Sequence, residues 1–174
     1  MVTAMTEPEI KRGTENIWAW LKGIPDPEMP YISIVDLGIV RDVEWQEQTL
    51  KVVMTPTYSG CPAKAVIEHN IRRTLADRGV QSITLENRLY PAWNTDWMSQ
   101  SGKEKLKAAG IAPPLPVEPV WQELKFISVG IRDVCCPRCG SEQTTLQGEF
   151  SGTACKSLWQ CNACMNPFEH FKSL

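Results

Sequence analysis

Two cysteine knuckles near the C-terminus constrain this chain more than any other feature: Cys136-Pro-Arg-Cys139-Gly and Cys161-Asn-Ala-Cys164. In each, two residues separate the thiols, so both sulfurs can face one ion from a tight turn. Twenty-one residues lie between the pairs, enough for a hairpin that brings them together. Four thiolates around one point form a tetrahedral structural site, so the pattern predicts a zinc ribbon held by Cys136, Cys139, Cys161 and Cys164. The same thiols could hold iron, but Met165 stands where a rubredoxin-like knuckle has glycine, which favours zinc. Cys61, Cys135 and Cys155 fall outside the set, and Cys135, beside Cys136, cannot easily join the same knuckle.

A chain of 174 residues has room for a small domain and a smaller module. Its 18 basic residues nearly balance its 20 acidic ones. The ribbon is balanced too, with Arg132, Arg138, Lys156 and Lys172 against Asp133, Glu142, Glu149 and Glu169. A nucleic-acid reader needs a basic stripe, so the balance predicts a ribbon that faces protein. The opening MVTAMTEPEIKRG has no apolar core of a signal peptide, and no apolar run approaches the roughly twenty residues that span a bilayer. Seven cysteines with a metal pattern and no export signal fit a reducing, cytoplasmic setting.

Periodicity predicts an α+β protein: a small two-layer α/β domain with a mixed sheet, then a β-rich zinc ribbon. A helix over Glu7–Lys22 carries Ile10, Ile17, Trp18 and Leu21 near one face and stops at Gly23. Tyr31–Trp45, rich in Ile and Val, reads as a strand interrupted at Asp36-Leu37-Gly38, and Thr49–Met54 as a second. A helix over Pro62–Arg78 has the stripe Ala63, Val66, Ile67, Ile71, Leu75, and Ser82–Tyr90 follows as a strand. Strand, helix, strand in that order predicts a right-handed parallel crossover. A short helix at Ser101–Ala109 leads to a linker stiffened by Pro113, Pro114, Pro116 and Pro119. The domain bounds are thus 1–112, a linker and leading strand over 113–128, and the ribbon over 129–174. Ribbon strands are expected in Trp121–Val134, Thr144–Phe150, Lys156–Gln160 and Phe168–Phe171.

Gly60-Cys61-Pro62 lies between a strand and a helix. Proline suits the first helical position, which would make Cys61 the N-cap, with its thiolate stabilised by free amides and the helix dipole. Thr55, Thr57, Tyr58 and Ser59 add hydroxyls, and Gly60 leaves room for approach. The loop Asp26-Pro27-Glu28 could bring a carboxylate close, or be only a turn. His69 lies eight residues along the same helix, about 12 Å away, too far to activate Cys61. A Cys–His nucleophile is therefore not expected, and the chain shows no Ser-His-Asp set, phosphate loop, dinucleotide glycine pattern or Glu-x-x-His di-iron motif. Trp93 and Trp97 are either an exposed aromatic pair for a partner or packing against the domain's own sheet.

Asp26-Pro27-Glu28, then Ser33-Ile-Val-Asp36-Leu-Gly38-Ile-Val40, Met54-Thr-Pro-Thr57 and Gly60-Cys61-Pro62 resemble the domain shared by iron–sulfur assembly factors. The resemblance covers about residues 7 to 112. It implies an α/β fold, a role in iron–sulfur protein maturation, and Cys61 as the functional thiol, holding iron or an iron–sulfur cluster in passage. Asp26, Glu28, Asp36, Thr55, Thr57 and Gly60 would then be the supporting loop residues. The stretch PAWNTDWMSQSGKEKLKAAGIAPP and the first knuckle look like one branch of that family, the D subunits of bacterial phenylacetyl-CoA ring 1,2-epoxidase systems. That resemblance implies a non-catalytic maturation factor with the oxygenase or reductase subunits as partners, and a homodimer as a further possibility. A structural bridging subunit and a thiol-based redox carrier are the alternatives.

Overall fold

The computed structural model describes residues 13–115 and 134–173. The expected start of the first helix, at residues 7 to 12, lies outside them, as do most of the proline linker and of the strand expected at Trp121–Val134. The chain divides into two units, one of residues up to 93 plus 97–102, the other of 94–96 plus residues from 103 onward.

In the first unit, α1 (Thr14–Lys22) ends at Gly23, as the sequence predicts. Strands β1 (Val40–Gln46) and β2 (Thr49–Met54) form an antiparallel hairpin, α2 (Lys64–Asp77) crosses over, and β3 (Ile83–Asn87) pairs parallel with β2. The sheet order is β1-β2-β3. Gly79, at φ +87°, follows α2 in the left-handed conformation that ends a helix cheaply. Ile17 and Leu21 of α1, Ile67, Ile71 and Leu75 of α2, and Leu50, Val52 and Val53 of β2 are buried. Truncating one of them, such as Ile71 to Ala, would cost about 2–5 kcal/mol.

Tyr31–Ile39 is not strand. It is a run of turns closed by Leu37 N–H to Ser33 O at 2.9 Å, Gly38 N–H to Val35 O at 2.9 Å and Ile39 N–H to Ile34 O at 3.0 Å. The Ser33 hydroxyl also accepts the Asp36 amide at 3.0 Å. Besides these local bonds, the Ile34 amide donates to Ile24 O at 3.1 Å and Ile32 O accepts the Asp26 amide, so Ile32, Ile34 and Leu37 are buried outside any strand of the sheet despite their β propensity.

A short 3-10 turn at Thr95–Trp97 and α3 (Gln100–Ala108) follow. In the second unit, β4 (Ile111–Ala112), β5 (Thr144–Gly148), β6 (Lys156–Cys161) and β7 (Pro167–Phe171) form one sheet in the order β4-β7-β6-β5. β4 runs parallel to β7, and the other pairings are antiparallel. Ile111 and Ala112, which the sequence pattern places with the N-terminal domain, are therefore hydrogen-bonded into the ribbon sheet. The ribbon's core is Ala112, Val134, Cys136, Trp159, Cys161 and Phe168. Among the described residues no helix is long and apolar enough to cross a membrane.

Candidate functional site

The two CxxC segments converge. Cys136, Cys139, Cys161 and Cys164 place their sulfurs within 4.8 Å of one another. Cys136 Sγ lies 3.8 Å from Cys164 Sγ, and Cys139 Sγ lies 3.6 Å from Cys161 Sγ. Metal–sulfur bonds of about 2.3 Å to a tetrahedral ion set sulfurs about 3.8 Å apart, so the thiols fit such an ion. Each knuckle is tied back on itself. The Gly140 amide donates to Cys136 O at 2.9 Å, and the Cys161 amide to Asn166 O at 3.0 Å. The Cys164 amide points at Cys161 Sγ, 3.4 Å away, a donor for a thiolate.

The thiols are electrostatically unequal. Hydrogen bonds from the Asn166 side chain and backbone pull Cys164 down to about 6. A backbone hydrogen bond at Ser141 also pulls on Cys139, but burial and the neighbouring thiols outweigh it and push Cys139 up to about 12. Four thiolates at this spacing repel one another, and a divalent cation at their centre removes that repulsion. Cys135 is exposed, and buried Cys155 lies 3.1 Å from Thr153 Oγ1.

In the first unit the structure joins most of the residues that the sequence singled out into one hydrogen-bonded block. Asp26 is buried, and its Oδ1 accepts the Glu28 and Met29 amides at 3.0 and 2.9 Å. Its own amide donates to Ile32 O at 2.9 Å, and Pro25 bridges Ser33. Asp36 lies in the turn that follows. Thr55, buried at the end of β2, donates its amide to Ile39 O at 2.8 Å. From Thr55 the chain runs through half-buried Thr57 and exposed Gly60 to half-buried Cys61.

Cys61 does not cap the helix. The N-cap of α2 is Ala63, so Cys61 and Pro62 stand outside the first turn. Two backbone bonds hold Cys61, its amide to Tyr58 O at 3.2 Å and its carbonyl to the Lys64 amide at 3.3 Å. These turns displace the helix start by two residues from the position that the proline suggested. Cys61 stays half-buried on a loop at the C-terminal end of a parallel strand, where open α/β sheets bind their ligands. His69 is exposed on α2.

Sequence reasoning missed Ser99, whose hydroxyl meets Asp36 Oδ1 at 2.8 Å. It also left Trp93 and Trp97 open. Trp93 is buried with its Nε1–H on Leu37 O at 3.0 Å, and Trp97 lies under the Arg41 guanidinium at 3.5 Å, so both pack within the unit. No local pattern marks a contact between residues 63 positions apart.

Residues 14–84 match the family described as iron-sulfur cluster assembly protein, and residues 126–172 match the PaaD zinc beta ribbon domain. An Escherichia coli (strain K12) protein, provisionally named as the D subunit of 1,2-phenylacetyl-CoA epoxidase, is 41% identical over 166 residues, 91% of this chain and 92% of its own length. The chain belongs to the D-subunit family of phenylacetyl-CoA epoxidases. Its N-terminal half also has kin outside that family. An Fe-S protein maturation auxiliary factor of Bacillus subtilis (strain 168) is 36% identical over 91 residues, 51% of this chain and 88% of its own. The crystal structure of a domain of unknown function, DUF59, from Bacillus anthracis superposes with a TM-score of 0.50 at 30% identity, over 53% of this chain and 89% of that one. The chain thus joins an iron–sulfur assembly domain to a zinc-ribbon domain with a four-cysteine metal-binding cluster.

Proposed function

We propose that this protein is a non-catalytic maturation factor of the phenylacetyl-CoA epoxidase system, assisting the installation of iron or an iron–sulfur cluster in the oxygenase or reductase. One observation carries the reading. An iron–sulfur assembly domain and a PaaD-type ribbon occur in one chain, and that chain matches an epoxidase D subunit along nearly its whole length. In this reading Cys61 holds or receives the metal in passage, on the loop that Thr55 anchors. Cys136, Cys139, Cys161 and Cys164 hold a structural zinc, and the ribbon built on it meets the client subunit. Zinc supplies folding energy to such modules and takes no part in the transfer.

A bridging subunit without a working thiol is the second reading, favoured by the finding that Ala63 and not Cys61 caps α2. The two separate in cells that carry Cys61→Ala. Purified oxygenase and reductase are then assayed for iron and flavin, and ring epoxidation is measured. Under-metallated components with a folded variant support maturation. Full metal content and normal growth on phenylacetate remove the thiol's role and leave the bridging reading.

A further inference from the structure

Ser99 joins two parts of the first unit and has its hydroxyl direction set from both sides. The Gly102 amide donates to Ser99 Oγ at 2.9 Å, and Ser99 Oγ–H donates to Asp36 Oδ1 at 2.8 Å. The first of these bonds makes Ser99 the cap of α3. The Ser99 amide adds a bond to Asp36 O at 2.8 Å. Around this pair the fit leaves no slack. A Cβ on Gly38, at φ +71°, would overlap the Trp97 carbonyl, and a Cβ on Gly102 would come within 2.8 Å of Asp36 O. The Asp36-Leu37-Gly38 turn is therefore a seat for Trp97–Gly102.

The other side of the turn reaches the Cys61 loop. Ile39 O accepts the Thr55 amide, and Val40 pairs with Met54. Thr55 follows Met54, the last residue of β2, and opens that loop. Asp36 itself is 1% exposed, so its carboxylate is placed to hold neighbours and not to meet an ion from solvent.

We propose that Asp36 is a positioning residue: through Ser99 it seats Trp97–Gly102 on its own turn, and the seated segment fixes the base of the Cys61 loop. The functional meaning rests on the reading of Cys61 given above. The mechanical coupling does not, and it is measured separately from cellular maturation.

The test uses the full-length zinc-loaded protein and the variants Asp36→Asn, Asp36→Ala and Ser99→Ala. Asparagine keeps the carbonyl acceptor and removes the charge. Asp36→Asn is expected to fall between wild type and Asp36→Ala, since it keeps one acceptor for Ser99 but loses the charge. Ser99→Ala and Asp36→Ala are expected to speed amide exchange about tenfold in residues 97–102 and 53–61, the scale of one lost buried hydrogen bond. Both should shift the pH midpoint of Cys61 alkylation, followed by mass spectrometry of its peptide. Faster exchange confined to 97–102, with the Cys61 profile unmoved, overturns the coupling. If Asp36→Ala does not fold, Ser99→Ala and Asp36→Asn still decide the question. A functional Cys61→Ala strain would defeat the maturation reading and leave these exchange results standing on their own.

Discussion

Gly140 and Met165 hold equivalent places in the two knuckles: each lies four residues after the first cysteine of its pair, and their φ angles are +75° and +59°. The left-handed turn costs glycine little, but it costs a residue with a Cβ roughly 1–2 kcal/mol. The second knuckle thus reaches the geometry of the first with a strained and largely exposed methionine, 70% of whose surface meets solvent.

Met165→Gly should accordingly stabilise the ribbon by about 1 kcal/mol, because it relieves the strain and gives up little packing. Gly140→Ala should cost about the same, since a Cβ there meets nothing within 4 Å and only the backbone is strained. Thermal melting of the zinc-loaded protein checks both. A destabilised Met165→Gly would mean that the methionine side chain contributes contacts that outweigh the strain.

Cys139→Ser or Cys161→Ser should lose the ion and unfold the ribbon, because its small core gives little stability without a metal. Amide exchange should rise across β5, β6 and β7 and at Ile111–Ala112, which β7 holds. Elemental analysis shows the metal loss. Retained protection at Ile111 in a metal-free variant would contradict the dependence.

His170 predicts a pH dependence for the ribbon. Burial lowers its pKa from 6.5 to about 4, and its Nε2 has no partner among the described residues. The unfolded chain therefore binds the proton first as pH falls. Stability drops between 6.5 and 4 and levels off below, a loss on the order of 3 kcal/mol. His170→Phe should flatten that part of the profile. Acid also protonates the four clustered cysteines wherever they are thiolates, so the difference between variant and wild type is the informative quantity. Parallel melting curves from pH 6.5 to 4.5 would remove the histidine's contribution.

Gly38→Ala should destabilise the first unit by about 3 kcal/mol, well beyond Gly140→Ala at a similar φ. The new Cβ would overlap Trp97, so overpacking adds to backbone strain. Urea denaturation measures it. A cost under about 1 kcal/mol would show that Trp97–Gly102 swings away freely.

What the sequence legibly held was local pattern. The spacing Cys136-x-x-Cys139 and Cys161-x-x-Cys164 fits a tight turn by itself, and the apolar stripe Ile67, Ile71, Leu75 faces one side by helical period alone. The order of β2, α2 and β3 left a parallel crossover as the favoured connection. The family motifs around Asp26, Asp36 and Cys61 could be read as text, though their arrangement could not.

Tertiary structure decided what local pattern leaves degenerate. An Ile- and Val-rich stretch suits either a strand or a buried turn, and Ser33, Leu37 and Gly38 settled Tyr31–Ile39 as turns through short-range hydrogen bonds. A proline after Cys61 allows a helix start at several positions, and two extra turns put the cap at Ala63. Ile111–Ala112 is too short to announce itself as a strand, and it exists only because β7 offers an unpaired edge. Asp36 and Ser99 are far apart in the chain, and a hydrogen bond between them depends on the folded core that holds both. Sequence specifies such contacts only through the whole fold, because the energy of each lies in a geometry that no segment possesses alone.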